Sequence, residues 1–183
     1  MKKRLFCILL ALSMALVLAA CGEGGETPGG QSTQGQASSA PSGAGSQTPT
    51  GGFFFAVSKA DGYVVTINDN MADVLAALGE PLSYFEAASC AFEGMDKTYT
   101  YSGFVITTQP GEDGQDYINS VRLTDDSVTT PEGVYIGCSA DDVTAAYGEG
   151  SRTENVISYT KGDSAMNFIL EGDKVISIEY LPA

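Results

Sequence analysis

The sequence predicts an α+β domain of two tandem repeats, each a short helix leading into an antiparallel meander, with the meanders sharing one sheet and both helices packed on one face. Three observations predict it. Residues 71–80 align with residues 140–149 at a constant offset of 69 and are identical at six of ten positions. Each of these segments is followed by short β-rich runs separated by Gly-containing turns. Finally, the foldable chain, residues 53–183, has the length of one domain and can bury roughly two-thirds of its unfolded surface.

The amino terminus is read before the domain. Lys2, Lys3 and Arg4 precede an apolar stretch from Leu5 to Ala20 that closes on Leu18-Ala19-Ala20-Cys21. Sixteen apolar residues are short of the ~20 a spanning helix needs, and small residues and glycine follow instead of a stop-transfer cluster. The segment resembles the bacterial lipoprotein signal peptide, whose cleavage motif residues 18–21 fit. The resemblance implies that residues 1–20 are removed, that Cys21 becomes the first mature residue, and that its sulfur carries a diacylglyceryl group. Two acyl chains hold a protein stably on a bilayer where one is marginal. The expected location is the extracytoplasmic face of a cell membrane.

Residues 21–52 are expected to be that lipidated cysteine and a linker of Gly, Ser, Thr, Gln, Ala and Pro, in which only Glu23 and Glu26 are charged. Such a stretch has too little apolar surface to offset the entropy of ordering, so it reads as a flexible tether. Its root-mean-square span is ~30 Å and its contour near ~100 Å.

Within the domain, residues 53–59 and 63–67 read as a leading hairpin turning at Asp61-Gly62. Asn70 and Ser139 stand where N-caps belong. Asp73 and Asp142 face the positive helix ends, and Gly79 and Gly148 supply the terminating turns. Met71, Val74, Leu75 and Leu78, and later Val143 and Tyr147, give each helix an apolar stripe. Residues 98–101, 104–109 and 117–123 form the first meander, and residues 156–160, 165–170 and 175–181 the second. Repeat one then spans 53–130 and repeat two 131–183.

The two repeats resemble those of the β-lactamase inhibitory protein family, on the pattern Ile-Gly, two residues, Asp-Asp-Val and a Gly at the helix end. The same pattern occurs in small envelope lipoproteins of outer-membrane assembly and in lipoproteins of Gram-positive bacteria. The matching residues are caps, turns and core positions, so the resemblance speaks to fold. It implies binding of another protein through the exposed sheet face and loops, and it carries over no inhibitory residue.

Charge and composition narrow the function. The mature chain keeps six basic residues against 23 acidic ones, 6 − 23 = −17, which is incompatible with a phosphate backbone as ligand. Nucleic acid is therefore not an expected partner, and a monomer tethered to the membrane through Cys21 is. The chain contains no histidine, so neither a Ser-His-Asp nor a Cys-His catalytic arrangement can form. No catalytic residue, cofactor or metal site is assigned, and the expectation is a protein that is not an enzyme. Asp125 with Asp126 and Asp141 with Asp142 leave a carboxylate-dependent hydrolase as a remote alternative.

Cys7 leaves with the signal and Cys21 with the lipid, so Cys90 and Cys138 remain, either as two thiols or as a disulfide. Closing residues 90–138 would stabilise by ~4 kcal/mol on the chain-entropy argument. Glu112, Asp113 and Asp116 in the loop after Pro110 form a candidate binding loop, either for a protein or, in a second reading, for a small ligand or divalent cation. Tyr84, Phe85, Phe92, Tyr99, Tyr101 and Phe104 are divided by strand alternation between a covered and an open face.

Overall fold

The computed structural model describes residues 51–183. The signal segment, Cys21 and the linker up to residue 50 lie outside the described residues.

Local sequence signals set the helix positions. Helix α1 is Met71–Leu78 and α2 is Ala140–Tyr147. The Asn70 side chain accepts from the Ala72 N–H, while Ser139 Oγ accepts from the Asp142 N–H and the Asp142 carboxylate accepts from the Ser139 N–H and hydroxyl, closing a capping box. Those bonds hold the Asp142 carboxyl below its usual range, the Ser139 hydroxyl contributing most. Gly79 and Gly148 end the helices, their N–H groups bonding to Leu75 O and Thr144 O.

Ten strands make up most of the remainder. β1 (Phe55–Val57) and β2 (Tyr63–Val65) form a two-stranded antiparallel sheet of their own, joined through a 3-10 turn at Ser58–Ala60. β3 (Ser83–Ala88), β4 (Met95–Tyr101), β5 (Phe104–Pro110) and β6 (Asp116–Leu123) follow α1. β7 (Ser151–Thr153), β8 (Val156–Lys161), β9 (Ser164–Glu171) and β10 (Lys174–Pro182) follow α2. These eight form a single antiparallel sheet in the order β3-β4-β5-β6-β10-β9-β8-β7.

The protein is therefore predominantly β, which corrects the expected α+β class with helices packed on a face. Each helix has only eight residues, about 12 Å, and buries two side chains: Met71 and Val74 in α1, Ala140 and Val143 in α2. Two turns with two anchors apiece plug into a core; they do not make a layer. The expected three-stranded meanders are corrected too, since each helix is followed by four strands.

Alternation builds the core. Along β9 the burial pattern is strictly periodic, with Ser164, Met166, Phe168 and Leu170 inward. The cross-strand partners Tyr99, Ile106 and Val121, and beyond them Ile178 and Tyr180, continue one apolar face. Phe55, Val57 and Val65 from the small sheet join the same cluster. Tyr180 is 2% exposed, its hydroxyl has no hydrogen-bond partner among the described residues, and burial raises its pKa far above the normal phenol value. Tyr180→Phe is expected to stabilise by about 1–2 kcal/mol, because it removes a desolvated hydroxyl and keeps the ring. Urea denaturation reads this directly, and a loss of similar size would mean that the hydroxyl is satisfied.

The duplication extends to hydrogen bonds that the sequence does not announce. Asn68 N donates to Ile118 O and Ile118 N to Asp69 O; in the second half Gly137 N donates to Val175 O and Val175 N to Cys138 O. Tyr101 Oη donates to Gly79 O at 3.1 Å, and Tyr159 Oη to Gly148 O at 2.8 Å, so a strand tyrosine ties down each helix end. The chain enters beside the β8–β9 turn. There Phe53 N donates to Ser164 Oγ at 2.7 Å, and a Cβ on Gly162 would lie 1.9 Å from Gly51 O.

Candidate functional site

The two halves differ most in one place. From the helix-end glycine to its tyrosine the first half runs 22 residues, Gly79 to Tyr101, and the second half 11, Gly148 to Tyr159. Eleven extra residues (22 − 11) thus lie between α1 and the end of β4, and they lengthen the β3–β4 hairpin. Beyond the tyrosines the halves nearly match: 17 residues from Tyr101 to Ile118 against 16 from Tyr159 to Val175. Insertions on a shared scaffold are where binding residues concentrate.

All six residues of β3 are exposed. Strand β3 is one edge of the sheet and β7 the other, and they are built differently. β7 has three residues, with Arg152 at its centre, the short and charged form that blunts an edge. β3 has six residues with Tyr84 and Phe85 at its heart. Leu82, 75% exposed, precedes it and Phe85 is 66% exposed. Phe92 in the connecting loop and Met95 at the start of β4 are also exposed. Five large apolar side chains, Leu82, Tyr84, Phe85, Phe92 and Met95, are thus left in water over or beside one hairpin.

Register assigns the faces. Tyr84, Glu86 and Ala88 pair with Tyr99, Lys97 and Met95, on the face that carries the core further in. The Tyr84 and Tyr99 rings lie 5.1 Å apart. Tyr84 Oη donates to the Glu86 carboxylate, and this bond, first among several causes, pushes the phenol pKa up to about 12. Lys97 Nζ donates to Asp116 Oδ2 at 2.7 Å, which raises the ammonium pKa. On the opposite face Phe85 pairs with Thr98, Thr98 with Thr107 and Thr107 with Ser120, a row of hydroxyls that ends at the Phe85 ring. Phe92, Asp96, Thr98, Thr107, Gln109 and Asn119 line a cleft of about 470 Å³ beside that row.

The sequence-derived candidates distribute unevenly. Of the six aromatics, Tyr99, Tyr101 and Phe104 are core and Tyr84, Phe85 and Phe92 are exposed. In the β5–β6 loop, Asp113 Oδ2 accepts from Tyr117 Oη at 2.6 Å and Oδ1 from Gln115 N at 3.0 Å, which keeps its carboxyl below the usual range. Asp116 holds Lys97, and Glu112 is exposed. Two of the three loop carboxylates thus serve the loop and the adjoining strand. Among the described residues no group of three or more His, Cys, Asp or Glu side chains is placed to hold a metal. Cys90, exposed in the β3–β4 loop, and Cys138, buried ahead of α2, are both free cysteines in this structure.

Sequence reasoning missed β3 itself. A usable signal was present: the repeat offset falls from 69 at the helices to 57 between Ile118 and Val175, so about a dozen residues must be added between them. Among the described residues no helix is long and apolar enough to cross a membrane. No protein-family model, curated protein or solved structure matches the chain.

Proposed function

We propose that the chain is a lipid-anchored extracytoplasmic protein whose β domain binds another protein through the β3–β4 hairpin. The observation that carries the binding is the hairpin extension, eleven residues longer than its counterpart, with Leu82, Tyr84, Phe85 and Phe92 exposed. A side chain such as Phe85 loses about 1.5–3 kcal/mol of burial by facing water, and a partner surface restores it. Anchoring rests on the residues Leu18 to Cys21, which fit the lipoprotein cleavage motif.

Two experiments test the halves of this reading. Cys21→Ser is expected to move the protein from the membrane fraction to the soluble one while leaving the thermal midpoint of the domain unchanged. If the variant stays with membranes, the lipid anchor is wrong. A photo-crosslinker placed at Phe85 on intact cells is expected to give a discrete adduct, whereas the same group at Arg152 on β7 gives none. Equal labelling from both positions, or none from either, removes the hairpin as the contact.

The cleft beside Phe92 favours a second reading, a small polar ligand held by Asp96, Gln109 and the threonine hydroxyls. A divalent cation has weaker grounds, because Asp113 and Asp116 already have partners. An unchanged melting temperature in millimolar Ca²⁺ would set the cation aside.

A further inference from the structure

We infer that the partner engages β3 by adding a strand to its open edge, and that the added strand is an extended peptide segment bearing both Lys or Arg and apolar side chains; this rests on the protein-binding reading above. Among the described residues β3 has a neighbouring strand on one side only. The Ser89 N–H to Gly94 O bond of 3.0 Å continues the β3–β4 register and fixes its alternation. Ser83, Phe85 and Ala87 therefore exchange hydrogen bonds with β4, and Tyr84, Glu86 and Ala88 turn their N–H and C=O groups to the open edge. That row is a ready template for an incoming backbone.

Charge selects the occupant. Between residues 80 and 96 the acidic residues are Glu80, Glu86, Glu93 and Asp96, all exposed, and there is no basic residue. The nearest cation, Lys97, is held by Asp116. A second copy of this chain would bring the same four carboxylates against themselves, on top of the overall negative charge, which disfavours edge-to-edge self-pairing. A strand with Lys or Arg meets opposite charge instead. Its side chains would flank Tyr84 on one face of the sheet and Phe85 on the other, so apolar residues are accommodated on both faces.

The test uses the full chain and a capped octapeptide of alternating lysine and valine as probe, with a glutamate–valine octapeptide as its counterpart. Amide exchange is followed residue by residue. The expected result is binding of the lysine peptide only, with exchange at Tyr84, Glu86 and Ala88 slowed at least tenfold and exchange at Ser83, Phe85 and Ala87 unchanged. Glu86→Pro removes an N–H on the open edge and is expected to weaken the peptide at least tenfold, while Glu86→Gln, which keeps that N–H, loses less. Protection elsewhere, equal binding of both peptides, or no binding of either overturns strand addition by a basic segment. Protection of the same amides in the free protein, with a dimer in sedimentation, would make a second copy the occupant and overturn the assignment of the partner. If the crosslink from Phe85 finds a protein and the peptide fails, only the mode of contact is wrong; if the crosslink also fails, the binding reading falls with it.

Discussion

Phe55→Ala is expected to lower the unfolding free energy by about 3–5 kcal/mol, the range for emptying a large buried aromatic site. The ring is 1% exposed. Its centroid lies 4.9 Å from Phe104 and 6.1 Å from Tyr180, so one side chain of β1 touches the first half of the large sheet through β5 and the second half through β10. A two-stranded sheet is not stable alone in water, which makes β1 and β2 dependent on this contact and on Val57 and Val65. Against a total stability of about 5–15 kcal/mol, the loss is a large fraction. Urea unfolding should show a lower midpoint at unchanged slope. A change below about 1 kcal/mol would show that the small sheet is peripheral to the core.

Gly103→Ala is expected to cost about 2–4 kcal/mol, from two independent penalties. Gly103 sits at φ +89 in the β4–β5 turn, where an alanine adopts an unfavoured left-handed backbone at roughly 1–2 kcal/mol. An added Cβ would also stand 2.6 Å from Ser127 Oγ and 2.9 Å from Val128 Cγ1, close enough to push the segment after β6 outward. Thr124 N donates to Gly103 O at 2.8 Å, so the displacement strains a hydrogen bond as well. Gly172 provides the control: its φ is +62 and an added Cβ meets nothing within 4 Å. Gly172→Ala should therefore lose only the backbone part. Thermal unfolding of the two variants separates backbone strain from crowding, and equal losses would refute the crowding.

What was readable in the sequence was whatever one face of the core dictates. Met166, Phe168 and Leu170 alternate with half-exposed residues because β9 is half-buried, and β4, β6 and β10 alternate over part of their length, whereas β5 buries Phe104, Val105 and Ile106 in succession and reads as a short continuous apolar run. The N-caps were legible because Asn70 and Ser139 each satisfy orphan N–H groups within three residues. β3 and β7 were not legible, since an edge strand with every residue exposed has no alternation to show. The fold class was misjudged for a related reason. Two well-capped helices stand out in a sequence beyond their share of the fold, and their eight-residue length leaves them as plugs in a β protein. The candidate loop at residues 112–116 was legible as an acidic loop, but the claim of Lys97 on Asp116 comes from β4, 19 residues away, and only the Tyr117 bond to Asp113 is local.

The entry of the chain beside the β8–β9 turn has a mechanical consequence. In the strand order, β8 stands six places from β3, roughly 29 Å across the ladder at ~4.8 Å per strand. Tension between residue 51 and a partner held on β3 would run across the strands, along the hydrogen bonds themselves, so the sheet would open one rung at a time instead of shearing as a block. The β6–β10 seam has three paired positions, against five to eight at the other interfaces between β8 and β3. Under pull, that seam is the weak link, and the two halves of the domain would part there before either gave way.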